Sequence, residues 1–264
     1  MNLREKYGEW GIILGATEGV GKAFAEKIAS EGMSVVLVGR REEKLQELGK
    51  NISETYGVDH MVIRADFAQS DCTDKIFEAT KDLDMGFMSY VACFHTFGKL
   101  QDTPWEKHEQ MINVNVMTFL KCFYHYMGIF AKQDRGAVIN VSSLTAISSS
   151  PYNAQYGAGK SYIKKLTEAV AAECESTNVD VEVITLGTTI TPSLLSNLPG
   201  GPAGEAVMKA AMTPEACVEE AFDNLGKSLS VIAGDHNKAN VHNWQANKTD
   251  DEYIRYMGSF YSNN

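Results

Sequence analysis

The chain lacks the marks of several protein classes. No apolar run is long enough to span a bilayer, and the first residues, MNLREKYGEW, hold charge but no apolar core of signal-peptide length. No basic run is interleaved with aromatics. Lysine and arginine total 24 against 34 aspartates and glutamates, a net charge of -10, so nucleic acid is not an expected partner. Cysteine is sparse too. Cys72, Cys93, Cys122, Cys174 and Cys217 are odd in number and show neither tight pairing nor metal-ligand spacing, which argues against a disulfide framework or a metal site and suits a reducing interior. No internal repeat and no low-complexity segment occurs. The expectation is a soluble, cytoplasmic protein that binds neither membrane nor metal.

What is present is an alternation of short apolar runs with longer helical patterns. GIILG, SVVLVG, HMVIRADF, a run near residues 87–92, GAVINVSS, VEVITLG and LSVIAG read as strands. Between them lie GKAFAEKIASEG, REEKLQELGKNI, a helix over about 74–83, a long helix over about 104–132 and another beginning near residue 154. Strands that are almost solid in valine and isoleucine are buried on both faces. The fold class expected is therefore α/β: a doubly wound, Rossmann-type parallel sheet of about seven strands, with helices on both faces and right-handed crossovers. One domain over 1–264 suffices for this length. Two stretches break the rhythm. Residues 188–212, with LSNLPGGPAGEA at their centre, read as a substrate lid, and Leu194, Leu195 and Leu198 are its apolar candidates. The tail, about 235–264, carries Trp244, Tyr253, Tyr256, Met257, Phe260 and Tyr261, too many apolar groups to hang free in water, so it packs on its own domain or on a partner subunit.

The candidate chemistry lies at strand ends. After the first strand, GATEGVGKA places Gly15, Gly19 and Gly21 so that the backbone can turn sharply, and a pyrophosphate can approach the amides of Thr17, Glu18, Gly19 and Val20 at a helix N-terminus. The second strand ends in VGRR. Where an NAD enzyme commonly places a carboxylate, this chain has Gly39 followed by Arg40 and Arg41, whose guanidinium groups suit a 2'-phosphate, so the cofactor expected is NADP(H). Asp66 and Phe67, after the third strand, are candidates for the adenine edge. Tyr156 and Lys160 are one helical turn apart and share a face. A phenol is a poor acid or base at neutral pH unless its anion is stabilised, and an adjacent ammonium stabilises it. Ser143, at the carboxyl end of the fifth strand, is in place to hold a carbonyl oxygen beside that phenol. His95, Phe97 and Tyr152 follow strand ends and are candidates for lining the cleft.

Gly15-x-x-x-Gly19-x-Gly21, Asn115 in NVNVMTF, Ser143 and Tyr156-x-x-x-Lys160, in that order over nearly the whole chain, resemble the short-chain dehydrogenase/reductase superfamily. The resemblance implies Tyr156 as general acid/base, with Ser143 polarising the carbonyl. It implies that Lys160 lowers the Tyr156 pKa and binds the nicotinamide ribose, and that Asn115 supports a water chain for proton relay. It also implies a homodimer or homotetramer. The chain departs from the wider pattern at Leu14, at Tyr90 to Cys93, where Asn-Asn-Ala-Gly is common, and at Leu186, where proline is common. Those departures, with REKYGEWGIILGATEGVGKAF, TPWEKHEQMINVNV, VITLGTTITPSLLSNLPGG and DEYIRYMGSFY, are similar to a bacterial NADP-dependent hydroxysteroid dehydrogenase branch. That branch acts on bile acids, interconverting 7-oxo and 7β-hydroxy forms such as 7-oxolithocholate and ursodeoxycholate. Two other readings are a reductase of another ketone, such as a 3-oxoacyl thioester, and a non-catalytic NADPH-binding regulator.

Overall fold

The computed structural model describes residues 2–196, 198 and 200–259. Its frame is a seven-stranded sheet: β1 (Trp10–Leu14), β2 (Ser34–Gly39), β3 (His60–Arg64), β4 (Met85–Tyr90), β5 (Gly136–Ser143), β6 (Val179–Leu186) and β7 (Ser230–Ile232). The order is β3-β2-β1-β4-β5-β6-β7, and every neighbouring pair is parallel. The helices, in chain order, are α1 (Leu3–Tyr7), α2 (Gly19–Ser30), α3 (Glu42–Tyr56), α4 (Cys72–Thr80), α5 (Trp105–Ile112), α6 (Phe119–Gln133), α7 (Ala154–Glu173), α8 (Pro192–Ser196), α9 (Gly201–Ala210), α10 (Pro214–Asn224), α11 (Asp235–Asn247) and α12 (Asp250–Ser259).

Alternation along each strand sends neighbours to opposite faces and so builds two cores. Ile13, Val35, Leu37 and Ile139 meet Phe24, Ile28, Leu48 and Phe222 from α2, α3 and α10 on one face. Ile12, Leu14, Val36 and Val38 meet Ile76, Phe119, Phe123 and Tyr126 from α4 and α6 on the other. Burying a phenylalanine such as Phe119, fully shielded from water, contributes about 2–3 kcal/mol. Strand order reverses between β1 and β4, and the crevice at the carboxyl ends of these parallel strands is where doubly wound sheets take ligands.

Four local differences from the sequence pattern have physical causes. The apolar run HMVIRADF leaves the sheet after Arg64, and Asp66 then turns the chain, accepting from Ala68 N–H at 3.1 Å. The helix expected over about 74–83 spans Cys72–Thr80. The long helix expected over about 104–132 is interrupted by a π-helical turn, Asn113–Thr118, centred on the buried Asn115, and such turns occur frequently at functional sites. The excursion over 188–212 holds α8 and α9, and its ends are joined: Ile190 N–H donates to the Met212 carbonyl at 2.8 Å, and Met212 N–H to Thr188 at 3.0 Å. The tail forms α11 and α12, with Trp244 buried and stacked on Tyr253 at 4.2 Å between centroids. Asn237 of α11 donates to the Ala233 carbonyl at 2.7 Å and lies so close to Gly187 that a Cβ there would fall 2.6 Å from it, so the tail packs on its own domain. Phe260 and Tyr261 lie outside the described residues.

One group in the frame is costly. Glu182 of β6 is fully buried, and neither carboxylate oxygen has a hydrogen-bond partner among the described residues. Burial first, and then the nearby Glu220 carboxylate, push its pKa up to about 8. Glu220 is itself anchored, accepting from Gly234 N–H at 2.7 Å and pairing with Lys238. Among the described residues, no helix is long and apolar enough to cross a membrane, and no His, Cys, Asp and Glu cluster is arranged to hold a metal ion.

Candidate active site

The crevice is a cleft of about 360 Å³ lined along one side by Gly15, Thr17, Glu18, Val20, Arg40 and Arg41. Its floor is a turn set by sterics. Gly15 has φ of +104°, and a Cβ there would lie 2.6 Å from the Ala92 backbone nitrogen; a Cβ on Gly21 would lie 2.0 Å from the Gly15 carbonyl oxygen. Both glycines therefore let α2 start hard against the strand ends, its first amides facing the cleft. Glu18, at the N-cap, does not cap with its side chain. It accepts instead from Arg41 at 2.8 Å and lies 3.5 Å from Lys44, and Arg41 is foremost in holding its carboxyl below the ordinary range. Arg41 thus pairs with Glu18 rather than with Glu42 or Glu43. Asp66 and Phe67 border the same cleft, Phe67 being held by Thr118, whose hydroxyl donates to its carbonyl at 2.8 Å. The positive lobe beside Gly39 includes Arg64, which pairs with Gly39 in the β2–β3 register. Arg64 escaped the sequence reading, although its place at the end of the third strand was the available signal.

The other side of the cleft is built by β5 and α7. Ser143, Tyr156 and Lys160 all line it. Lys160 is buried, 2% exposed, and its ammonium donates to the Val141 carbonyl at 2.8 Å, 5.8 Å from the centre of the Tyr156 ring. Ser142 locks the same turn from outside, its hydroxyl donating to the Lys160 carbonyl at 2.9 Å. The Ser143 hydroxyl lines the cleft with the Tyr156 phenol and accepts from Thr145 N–H at 3.3 Å. Asn115 clamps the chain beyond β4: its Oδ1 accepts from Phe94 N–H at 2.9 Å and its Nδ2 donates to the Phe94 carbonyl at 2.7 Å. Gly159 lets α7 close on that clamp, since a Cβ there would come within 3.1 Å of the Asn115 Cβ.

A parallel doubly wound sheet, a glycine turn at its switch point and a Ser, Tyr and Lys set facing that turn are now joined by sequence: residues 9–198 match the family profile of short chain dehydrogenase. The chain belongs to that family. Among its relatives, it is 75% identical over 261 residues, 99% of each chain, to a 7beta-hydroxysteroid dehydrogenase of Mediterraneibacter gnavus. It is 76% identical over 261 residues, again 99% of each, to a 7beta-hydroxysteroid dehydrogenase of Collinsella aerofaciens. A solved structure from work on 7beta-hydroxysteroid dehydrogenase stereoselectivity superposes with a TM-score of 0.95 at 75% identity, covering 97% of this chain and 99% of that one.

Within this short-chain dehydrogenase the electrostatics differ from the sequence expectation in one respect. Lys160 was expected to lower the Tyr156 pKa, yet the phenol is pushed well above the ordinary tyrosine range, by burial first and by the Cys93 charge second, with only the Ser143 hydrogen bond pulling it down. The reason is geometric: the Lys160 ammonium is directed to the Val141 carbonyl, and burial lowers its own pKa. The Asn115 side-chain amide is engaged with the backbone of Phe94. Cys93, which stands at a departure from the family pattern, opens onto the cleft. Burial raises its thiol, but a hydrogen bond with His95 and the charges of Lys160 and His95 outweigh that and hold it below the ordinary value. His95 packs edge-on against Tyr156 at 5.5 Å and against Phe97 at 5.4 Å, but neither His95 nor Phe97 is among the residues that line the cleft. Tyr152 instead borders a smaller neighbouring pocket. On the lid side, Thr189, Thr191 and Ser193 reach the cleft, and Leu195 is half exposed.

Proposed function

We propose that this protein is an NADP(H)-dependent oxidoreductase that interconverts 7-oxo and 7β-hydroxy bile acids, 7-oxolithocholate and ursodeoxycholate being the expected pair. The observation that carries the reading is identity of three quarters across 99% of the chain, lid and tail included, to two 7beta-hydroxysteroid dehydrogenases. The cleft fits the cofactor: a cradle that a Cβ at Gly15 or Gly21 would fill, helix amides beyond it, and Arg40, Arg41 and Arg64 around Gly39, where a 2'-phosphate would be held and residue 39 itself carries no carboxylate. Thr17, Glu18, Gly19 and Val20 would line the pyrophosphate, with Asp66 and Phe67 at the adenine. When bound, the nicotinamide supplies the hydride for reduction of the C7 ketone, or accepts it in oxidation.

The side chains handle the oxygen and its proton. Ser143 holds the ketone oxygen by donating to it, and Tyr156, beside it in the cleft, gives its phenolic proton to that oxygen as the hydroxyl forms. In oxidation Tyr156 takes the proton back. Lys160, fixed by Val141, positions the tyrosine face and offers its remaining N–H groups to the nicotinamide ribose. Asn115 holds the Phe94 segment in place, and the water chain expected for proton relay would run beside its π turn. The assembly we infer is a homodimer or homotetramer, supported by the exposed apolar row Ile112, Met117 and Tyr124 along α5 and α6. A cytoplasmic location suits its five free cysteines.

The test is NADPH consumption against a panel of keto-steroids and 3-oxoacyl thioesters. Turnover of 7-oxo bile acids to 7β-hydroxy products is expected. Activity on the thioesters alone, or NADPH binding without turnover of any ketone, would replace this reading with one of the other two.

A further inference from the structure

One charge in the cleft has no part in these steps. Glu18 is the last residue before α2, and it sets a carboxylate into a lobe otherwise lined by cations. An anion at a helix N-terminus is ordinary when it caps the helix. This one does not: its backbone is extended and its side chain makes no capping bond.

The carboxylate goes across the cleft instead. A Cβ at Gly39 would lie 2.7 Å from the Thr17 hydroxyl, so the turn that carries residues 17 and 18 is pressed against the end of β2. Glu18 thereby meets the residues that follow β2. Its Oε2 accepts from Arg41 at 2.8 Å and lies 3.5 Å from the Lys44 ammonium, so two cations converge on one oxygen, the way a phosphate oxygen is commonly held. The group is ionised, since Arg41 foremost holds its carboxyl below the ordinary range. Arg40 and Arg64 border the same lobe, are exposed, and make no ion pair among the described residues. The lobe is therefore divided: two guanidinium groups face an incoming anion, and two further cations already hold one supplied by the chain. A 2'-phosphate entering here meets a charge of its own sign and takes Arg41 only by drawing it away from Glu18. A cofactor with a plain 2'-hydroxyl has no such contest.

We propose that Glu18 is a specificity-determining residue, a built-in stand-in for the 2'-phosphate that occupies Arg41 and Lys44 and so weakens the grip on NADP(H) while leaving that on NAD(H) nearly unchanged. Preference for the phosphorylated cofactor then comes chiefly from Arg40 and Arg64, and Glu18 limits how far it goes. The inference rests on the cofactor reading given above and is independent of the steroid. Its size is set by exposure. The Glu18 and Arg41 side chains are 30% and 48% exposed, and an ion pair of that kind is worth about three- to five-fold in affinity.

The probe is adenosine 2'-monophosphate, which carries the contested phosphate but neither pyrophosphate nor nicotinamide, with adenosine 5'-monophosphate as its counterpart. Binding of each to the full chain is read by calorimetry. Glu18→Gln, which keeps the side-chain shape and removes no cap, is expected to bind the 2'-isomer about three- to five-fold more tightly than the parent does, with the 5'-isomer changed less than two-fold. NADPH, followed by fluorescence, should gain as the 2'-isomer does, and NADH should not. Unchanged or weaker binding of the 2'-isomer overturns the proposal and makes Glu18 a support for Arg41. Equal tightening of both isomers overturns it as well, as a general effect of lost negative charge. A parent protein that binds the 2'-isomer no better than the 5'-isomer removes the 2'-phosphate from this lobe, and the cofactor reading then fails together with the proposal.

Discussion

The two walls of the cleft are made differently. On the cofactor side, backbone sets the shape: Gly15 and Gly21 are compelled by contacts of 2.6 and 2.0 Å that any side chain would make, and the amides follow. On the other side, side chains from distant segments set it: Ser143 of β5, Tyr156 and Lys160 of α7, and Thr189, Thr191 and Ser193 of the 188–212 excursion come from three stretches of sequence. A wall built from backbone tolerates little variation and serves one ligand class. A wall built from side chains can be re-aimed while the sheet stays unchanged.

The sharpest way to break the comparison is at the junction of the two walls. Tyr156→Phe is expected to lower kcat by about 10³-fold or more while leaving NADPH affinity, read by fluorescence titration, within a few-fold of the parent. Near-normal turnover would remove the tyrosine from the mechanism. The next effect is on the frame beneath the substrate side. Glu182 has a folded-state pKa raised to about 8, so it prefers to be protonated in the folded chain. The cost of burying it is absent below its unfolded pKa, grows as pH rises from about 4.5 to about 8, and is constant above that. Glu182→Gln should therefore stabilise the protein by about 2–5 kcal/mol at pH 8.5 and hardly at all at pH 4.5, measured by denaturant unfolding. A gain independent of pH would contradict this assignment.

On the cofactor wall, Gly39→Asp should reverse the preference for NADP(H) over NAD(H) by about 10- to 100-fold in kcat/KM, since the new carboxylate repels a 2'-phosphate. Thr17 must yield slightly, because a Cβ at residue 39 would lie 2.7 Å from its hydroxyl. An unchanged preference would show that the arginines beside Gly39 do not read the phosphate. The smallest effect belongs to α8. Leu195→Ser should raise KM for the steroid about three-fold without changing thermal stability, because this leucine is 52% exposed and contributes little to the core. A loss of stability instead would make Leu195 a packing residue.

The same contrast explains what could be read in advance. The parallel sheet buried on both faces follows from solid apolar runs, and the glycine turn from a steric demand that leaves glycine as the only solution. Ser143, Tyr156 and Lys160 were found because their spacing and order mark them, and the fold does bring them to one cleft. What the sequence hid depends on groups far apart in the chain. Thr118 and the Phe67 carbonyl that its hydroxyl holds are 51 positions apart. Lys160 was expected to act on the phenol because the two are one turn apart, but that spacing does not reveal that the Val141 carbonyl takes the ammonium. Glu182 was overlooked inside VEVITLG because a single carboxylate does not break an apolar run, although it governs how stability depends on pH.

The short backbone ladder between Thr188, Ile190 and Met212 closes the excursion at its root. Such a closure makes the intervening stretch an exchangeable cassette: it can lengthen, shorten or change its letters between descendants of one ancestor while β6 and α10 stay where they are. New ketones can then be recruited by editing a hinge-bounded insert, with the redox machinery inherited intact.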